Sequence, residues 1–226
     1  MRPLTLLLFL LAPLLAHAAD DPAARTIVLV RHGHYAPDPA ADPTLGPGLT
    51  PLGIAQARLA GARLAGLPAP FDQVYASPLT RAQQSARIIA EDLGGVGIET
   101  LPDLAECTPP TRQTAVTAQM AAADLKACAD QLDRLYAAHF KPAQGTARRE
   151  LMVCHGNVIR YLITKALHVD TEAWLELSVG HTSLTTIRIE ADGSTRVIGA
   201  GDVGHLPPNL HTGALGDPER SLSVPE

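Results

Sequence analysis

The apolar and polar positions along this chain alternate between short buried segments and longer amphipathic ones. Residues 27–30 (Ile-Val-Leu-Val) include no polar residue, which is typical of a strand buried on both faces of a sheet. Further strands are predicted at 71–76, 97–101, 151–155, 182–190 and 195–201, and helices at 51–64, 78–93, 116–140 and 158–167. Strands that alternate with helices predict a three-layer α/β/α fold with a mostly parallel sheet. The Asp192-Gly193 turn predicts an antiparallel hairpin at one edge of that sheet.

Two of the predicted helices begin with the same sequence motif. Thr50-Pro51 and Ser77-Pro78 each place an N-cap residue before a proline at the first helical position. With 226 residues and 46% hydrophobic content, the chain can bury one good core. We therefore expect a single domain over residues 20–226, in which residues 202–226 are mostly a loop tail.

Two predicted strands end in the same kind of sequence, Arg31-His32-Gly33 and His155-Gly156. The carboxyl ends of parallel strands share one edge of a sheet, so the two histidines are expected to face one crevice. A third strand leads into a helix start that carries Arg81, where the helix N-terminus and a guanidinium favour an anion. The pattern predicts a phosphate site in which Arg31 holds the anion against the nucleophile His32.

Residues 1–19 have the organisation of a signal peptide. Arg2 supplies a positive start, residues 4–15 are apolar, and Ala16-His17-Ala18 is a small-x-small cleavage site. The apolar run is shorter than the ~20 residues that span a bilayer. We therefore expect cleavage after Ala18 or Ala19, a mature form without a membrane span, and a periplasmic or secreted protein. A retained N-terminal anchor is the alternative.

Composition restricts the partners. The formal net charge of −5, without a Lys/Arg cluster, argues against nucleic acid as a ligand. Export would permit disulfides, and a bridge between Cys107 and Cys128 would tie an active-site loop to a helix. Cys154 ends an apolar run and is expected to be buried, and no cysteine spacing resembles a structural zinc site.

A family resemblance follows from four motifs: Arg31-His32-Gly33, the helix start Ser77–Ser85 with Arg81-Ala82, the mid-chain Glu106, and His155-Gly156. With these motifs the chain resembles the histidine phosphatase (phosphoglycerate mutase-like) superfamily over about residues 26–210. It resembles most the mitochondrial serine/threonine-protein phosphatases of the phosphoglycerate mutase family, in Arg31–Tyr35, Leu49–Gly53, Cys154–Tyr161, Trp174–Ser178 and Gly201–Pro208. Asp38 fits that pattern too. His34 and Thr182-Ser183 depart from the wider superfamily, which bears on substrate choice rather than on phosphoryl transfer.

The resemblance implies a mechanism. His32 would form a phosphohistidine, and the phosphoryl oxygens would be held by Arg31, Arg81 and His155. Glu106 would protonate the leaving alcohol and then activate water; Glu99 and Asp103 lie close by, but the register of the loop matches Glu106 to the family's acid. The substrate mouth would be lined by His34, Tyr35 and Asp38. Asn157 either joins the site or caps a helix, and neither a metal nor a cofactor is required.

The expected activity is that of an exported phosphomonoesterase. Mutases of the superfamily have a longer insertion after the acid, whereas only a short connection separates Glu106 from Val116 here, which favours an open site and hydrolysis. The resemblance suggests phosphoserine or phosphothreonine as the substrate. The alternatives are a periplasmic phosphatase of sugar phosphates or lipopolysaccharide-core phosphates, and an inactive phospho-ligand binding protein. A homodimer is suggested by the family alone.

Overall fold

The computed structural model describes residues 22–213 of the chain. The predicted signal peptide, residues 1–19, and the end of the predicted tail, residues 214–226, lie outside the described residues. Within 22–213, no helix combines the length and the hydrophobicity that crossing a membrane requires.

The described chain alternates strands and helices. The strands are β1 (Pro22–Ala23), β2 (Arg25–Arg31), β3 (Gln73–Ala76), β4 (Ile98–Thr100), β5 (Ala143–Gln144), β6 (Arg148–Cys154), β7 (Leu184–Ile189) and β8 (Thr195–Asp202). The α-helices are α1 (Pro51–Ala65), α2 (Thr80–Asp92), α3 (Thr114–Thr117), α4 (Ala122–His139) and α5 (Gly156–Ala166). Short 3-10 helices occupy Pro102–Leu104, Thr171–Glu176 and Pro208–Leu210.

Six strands form the main sheet in the order β4-β3-β6-β2-β7-β8. The strands β4, β3, β6 and β2 are parallel to one another, whereas β7 is antiparallel to β2 and β8 is antiparallel to β7. This arrangement confirms the predicted mostly parallel sheet with an antiparallel hairpin at its edge. The two short strands β1 and β5 pair with each other outside this sheet.

The core lies on both faces of the sheet, as the apolar run of β2 predicts. Ile27 and Leu29 pack on one face with residues of α4 and α5. Val28 and Val30 pack on the other face with residues of α1 and α2. All four side chains are at most 1% exposed. The helices thus form the two outer layers of the predicted α/β/α fold, which leaves the ends of the central strands as the place for polar side chains.

Two predicted features differ from the structure. The helix predicted over 116–140 is two helices, α3 and α4, and no glycine or proline marks the break at residues 118–121. Thr50 does cap α1, because its hydroxyl accepts from the N–H of Gly53 at 3.2 Å. The matching Ser77-Pro78 cap is wrong: α2 starts at Thr80, and its N-cap, Leu79, offers no side-chain hydrogen bond.

Candidate active site

The two predicted histidines meet at one edge of the sheet. β2 and β6 are adjacent and parallel, and Arg31 lies opposite Cys154 in the register, so the residues that follow, His32 and His155, leave the sheet side by side. The N–H of His32 donates to the carbonyl of Cys154 at 2.9 Å. The two ring centroids are 5.0 Å apart, as the strand-end pattern predicts.

The chain turns sharply after His32 because its backbone approaches the start of α1. A Cβ on Gly33 would lie 2.4 Å from the carbonyl oxygen of Gly53, and one on Gly53 would lie 2.1 Å from the carbonyl oxygen of His34. Only glycine fits these two positions without moving backbone. The N–H of Gly33 also donates to the Ser85 hydroxyl of α2 at 3.0 Å, which fixes the turn beside the nucleophile candidate.

His32 is a neutral imidazole with a defined tautomer. Its Nδ1 lies 2.8 Å from the carbonyl oxygen of Gly33, which can only accept, so Nδ1 carries the proton. Burial, with the neighbouring His155 and His181, lowers the pKa of His32 well below its usual value. Nε2 therefore carries a lone pair, and it accepts from Nε of Arg81 at 3.1 Å.

Two guanidiniums flank His32. Nη1 of Arg31 donates to the carbonyls of Val179 (2.8 Å) and Gly213 (2.7 Å), while its buried Nε has no partner. Burial lowers the pKa of Arg31 to about 10, so that Arg31 stays charged at neutral pH. Arg81 lies in the first turn of α2, where the sequence places it, with its guanidinium carbon 4.7 Å from the ring centre of Tyr35. Positive charge at the site suits an anion.

His155 has the complementary tautomer. Its Nε2 lies 2.7 Å from the Ser77 hydroxyl, which also accepts from the N–H of Leu79 at 3.3 Å. Within the described part of the chain Nε2 is the one acceptor beside that hydroxyl, so we assign the hydroxyl proton to the Nε2 contact. Burial and the two site arginines hold the pKa of His155 well below its usual value. The proton is thus on Nδ1, which has no hydrogen-bond partner and lies 3.7 Å from Oε2 of Glu106. Ser77, expected to cap α2, instead orients a site histidine.

Glu106 reaches the site from the loop after β4. Its Oε1 accepts from the backbone N–H of Asn157 at 3.2 Å, and the Asn157 side chain donates to the carbonyl of Cys107 at 3.0 Å. Asn157 therefore holds the acid loop rather than capping α5 with its side chain. Burial raises the pKa of Glu106 to about 7, although the positive charges of Arg31 and Arg81 oppose the shift.

The structure separates Glu106 from the other two candidate acids. Glu99 is exposed on β4, and Asp103 pairs with Arg134 at 3.1 Å. The suggested bridge between Cys107 and Cys128 is present and ties the loop of Glu106 to α4, while Cys154 is free and buried, as predicted.

The predicted mouth residues divide into two groups. The ring of Tyr35 lies 5.3 Å from that of His32, and Nδ1 of His34 lies 2.8 Å from the Thr50 hydroxyl. Asp38, in contrast, is exposed, and its carboxylate accepts from the N–H of Ala40 at 2.9 Å within a turn. His34 and Tyr35 thus lie close to the nucleophile candidate, whereas Asp38 serves the loop.

Two further side chains of the site escaped sequence reasoning. His181, just before β7, has its ring 5.3 Å from that of His32. Arg160 of α5 is 7% exposed and acts electrostatically on Arg31 and Glu106. His181 precedes a strand rather than following one, so the strand-end pattern does not single it out. Arg160 lies one helical turn beyond His155-Gly156, where a search along the helix face could have found it.

A metal ion is a possible occupant on donor spacing alone. Donor atoms of His32, Glu106 and His155 all lie within 4.8 Å of one another. Both histidines are neutral, as metal binding requires. The guanidiniums of Arg31 and Arg81 at the same place disfavour a cation, so the residues fit an oxyanion better.

Relatives are named phosphatases. The chain is 38% identical over 192 residues to the mitochondrial serine/threonine-protein phosphatase Pgam5 of Caenorhabditis elegans, a match that spans 83% of this chain and 66% of that relative. It is 34% identical over 195 residues to mitochondrial PGAM5 of Homo sapiens, which covers 84% of this chain and again 66% of the relative. This chain thus spans slightly less than two thirds of these relatives' length. The predicted likeness is confirmed, and the predicted enzyme class, a phosphatase, agrees with these names.

The expected location is wrong. Residues 1–19 predict a periplasmic or secreted protein, but these relatives are mitochondrial proteins. An apolar, positively started N-terminus is a feature that several kinds of leader and anchor share, so it does not by itself specify a periplasmic or secreted destination. The corresponding interpretation of the chain as an exported enzyme is withdrawn with it.

The fold and the sequence pattern agree on the family. The crystal structure of a phosphoglycerate mutase from Plasmodium falciparum superposes with a TM-score of 0.58 at 26% identity, covering 82% of this chain and 95% of that one. This likeness confirms the predicted phosphoglycerate mutase-like α/β fold. The model of the histidine phosphatase superfamily (branch 1) matches residues 27–199, which include both strand-end histidines and the arginine of α2. The chain belongs to the histidine phosphatase superfamily.

Proposed function

We propose that this protein hydrolyses phosphate monoesters through a phosphohistidine formed on His32. The observation that carries the proposal is the lone pair on Nε2 of His32, which the Nδ1 contact with Gly33 fixes and which faces the guanidinium of Arg81. An unprotonated imidazole nitrogen is a nucleophile, and flanking positive charge attracts the phosphoryl group that it attacks.

The first step transfers the phosphoryl group. Nε2 of His32 attacks phosphorus, and the bond from phosphorus to the ester oxygen breaks. Arg81 exchanges its contact with Nε2 for a phosphoryl oxygen, while Nδ1–H of His155 and Nε of Arg31 donate to further oxygens. The leaving oxygen takes the proton of Glu106, whose pKa of about 7 keeps a large protonated fraction near neutral pH.

The second step returns the enzyme to its starting state. The Glu106 carboxylate takes a proton from water, and the resulting hydroxide attacks phosphorus and breaks its bond to Nε2 of His32. Inorganic phosphate leaves, the lone pair on Nε2 is restored, and Glu106 is protonated again. The same carboxyl group thus serves as acid and as base, which a pKa near the working pH allows.

For the substrate we propose phosphoserine or phosphothreonine side chains of proteins. The names of the relatives support this class, because they are serine/threonine-protein phosphatases. The half-buried His34 and Tyr35 next to His32 would contact the residue that carries the phosphate. Only a short segment follows Glu106 before α3 begins at Thr114, which favours a site that admits a side chain on a larger molecule.

The decisive experiment is to trap the intermediate. Acid-labile, alkali-stable phosphate should appear on His32 when the protein is quenched during turnover of p-nitrophenyl phosphate, and His32→Ala should lose both the adduct and turnover. His168→Ala, which changes an exposed histidine outside the site, is the control. Persistent hydrolysis by the His32→Ala protein would contradict the mechanism.

A substrate panel tests the proposed class. We expect higher kcat/KM for phosphoserine and phosphothreonine peptides than for sugar phosphates at equal concentration. Preference for sugar phosphates would replace the substrate proposal but keep the mechanism. Binding of phosphopeptides without any turnover would identify an inactive phospho-ligand binding protein instead.

A further inference from the structure

A third histidine lies at the edge of the sheet where His32 and His155 meet, and the mechanism above gives it no role. His181 is 6% exposed and comes just before β7. Its ring centroid lies 5.3 Å from that of His32 and 5.6 Å from that of His34. Because β7 is antiparallel to β2, the start of β7 lies at the same edge of the sheet as the end of β2.

A chain of hydrogen bonds defines the tautomer of His181. The N–H of His34 donates to Oε1 of Gln56 at 2.8 Å, so the Gln56 amide nitrogen points away and donates to the hydroxyl oxygen of Thr212 (2.8 Å) and to the carbonyl of Leu210 (2.7 Å). The Thr212 hydroxyl accepts from Gln56 and has one proton to donate. Nδ1 of His181, 2.9 Å away, is the one further side-chain partner of this hydroxyl among residues 22–213, so we assign the hydroxyl proton to that contact.

The other ring nitrogen of His181 is then a donor. Burial, with the positive charge of Arg31, lowers the pKa of His181 to about 2, so the ring is neutral and carries its single proton on Nε2. Nε2 is buried and has no hydrogen-bond partner. A buried donor without an acceptor costs free energy, which an incoming acceptor would recover.

His181 repeats the arrangement of His155. A hydroxyl orients each ring, Ser77 for His155 and Thr212 for His181, and each ring keeps one buried N–H without a partner beside His32. Arg31 cannot offer all its N–H groups to a ligand, because its Nη1 already donates to two backbone carbonyls. A phosphoryl group has three non-bridging oxygens that accept hydrogen bonds, so a further, neutral donor at this place would have an oxygen to bind.

We propose that His181 is a further substrate-binding residue, whose Nε2–H donates a hydrogen bond to a non-bridging oxygen of the phosphoryl group held at His32. This inference rests on the proposed function for the identity of the anion. The backbone supports it: Thr182 has a φ of +54°, and its N–H donates to the carbonyl of Arg31 at 2.9 Å. A non-glycine residue in the left-handed region is uncommon and occurs often at ligand sites, and here it places His181 against the β2 end.

The test is equilibrium binding of inorganic phosphate, measured by calorimetry on the full chain. His181→Phe keeps a planar ring but removes the donor, and it should weaken phosphate binding roughly tenfold to a hundredfold. His181→Gln, which offers an N–H near the position of Nε2, should recover part of the affinity. Thr212→Val, which releases the tautomer, should weaken binding by about threefold to tenfold.

A matched control is available at the opposite end of the sheet. The hydroxyl of Thr195 also contacts a histidine, with its oxygen 3.1 Å from Nε2 of His168, and Thr195 pairs with the far end of β7. Thr195→Val should leave phosphate affinity unchanged. Each variant is first checked for a thermal unfolding transition like that of the wild type. If His181→Phe does not fold, the phosphate affinities of His181→Gln and Thr212→Val test the inference, and affinities equal to the wild type in both would overturn it.

Phosphate affinity within twofold of the wild type in folded His181→Phe would overturn the inference, as would a wild-type protein that does not bind phosphate. The readout requires no turnover, so it separates this inference from the proposed function. Absence of a phosphohistidine together with weaker phosphate binding in His181→Phe would contradict the mechanism and support His181 as a ligand.

Discussion

At the scale of single residues, the three histidines differ in which nitrogen is left for the substrate. His32 keeps a lone pair on Nε2 because a carbonyl takes its Nδ1–H. His155 and His181 each keep an N–H because a hydroxyl fills the other nitrogen. In the proposed mechanism, side chains of one chemical type thus serve as nucleophile and as donors, and the nearest hydrogen-bond partner decides which.

The first prediction concerns Glu106 as the general acid. Glu106→Gln should lower kcat/KM on a phosphoserine peptide by about a hundredfold to a thousandfold, because the alkoxide leaving group needs a proton. On p-nitrophenyl phosphate kcat/KM should fall less than tenfold, while phosphohistidine accumulates because its hydrolysis lacks a base. Stopped-flow and quench measurements on both substrates check this. Glu99→Gln, which changes an exposed residue of β4, is the control and should keep wild-type rates on both.

The pH profile gives this prediction a sign. Glu106 must be protonated for the first step, so with a pKa raised to about 7 the wild-type kcat/KM on the peptide should decline above neutral pH. With the same substrate, Glu106→Gln should lack that decline because glutamine does not ionise. Any change in rate caused by ionisation of the substrate should appear in both proteins and can be subtracted. An identical profile in the two proteins would assign the acid to another group.

At the scale of elements, the disulfide between Cys107 and Cys128 joins the loop of the acid to α4. The bridge closes a segment with a sequence separation of 21, and Cys107 directly follows Glu106. A cross-link of this span restricts the unfolded chain, and in the folded chain it limits how far the loop can move. The tether thus connects stability with the placement of one carboxyl group.

The double variant Cys107→Ser/Cys128→Ser tests both effects. The free energy of unfolding in urea should fall by about 3 kcal/mol relative to the oxidised wild type. Turnover of a phosphoserine peptide should fall more than turnover of p-nitrophenyl phosphate, because only the former depends on the position of Glu106. Reductant should destabilise the wild type but not the variant. Alkylation of the unreduced wild type under denaturing conditions should label Cys154 alone, and three labelled thiols would show that the bridge is absent.

The sequence predicts some residues of this site and not others, depending on whether a regular strand or helix places them. His32 and His155 follow apolar runs, so the parallel sheet places them without further information. Glu106 depended on the family resemblance, since a loop has no period that would aim its side chains. His181 required knowing that β7 runs antiparallel beside β2, which is a property of the assembled sheet. Ser77 matched a local capping pattern, but the tertiary contact with His155 uses its hydroxyl instead.

At the scale of the whole molecule, several buried ionisable groups make stability depend on pH. The pKa values of His32, His155 and His181 in the folded protein lie below the ordinary value of 6.5. Below about pH 6.5 the unfolded chain binds protons that the folded chain does not, so stability falls as the pH falls. Glu106, with a raised pKa, opposes this effect between pH 4.5 and about 7.

We therefore expect the free energy of unfolding to decrease on acidification below pH 6.5. Each of the three histidines makes the free energy of unfolding fall by up to about 1.4 kcal/mol for each pH unit of acidification. Glu106 acts in the opposite direction and offsets the contribution of about one histidine. Urea denaturation at pH 7.0, 6.0 and 5.0 measures the slope, which should be smaller in His181→Phe. Stability that stays constant or rises over this range would contradict the neutral, buried state of the rings.

The antiparallel placement of β7 has a consequence for redesign. The parallel strands supply the nucleophile and His155, whereas residues 180–183 arrive at the same rim from the separate β7–β8 hairpin. Randomising those four positions while retaining residues 31–33 and 155–156 would therefore sample other ways of holding the phosphoryl oxygens beside an unchanged His32, and a hydrogen-bond donor at position 181 is expected among the variants that still bind phosphate. The proposed nucleophile and this proposed oxygen contact are encoded by separate strands of one sheet, so the second can be varied while the first is kept.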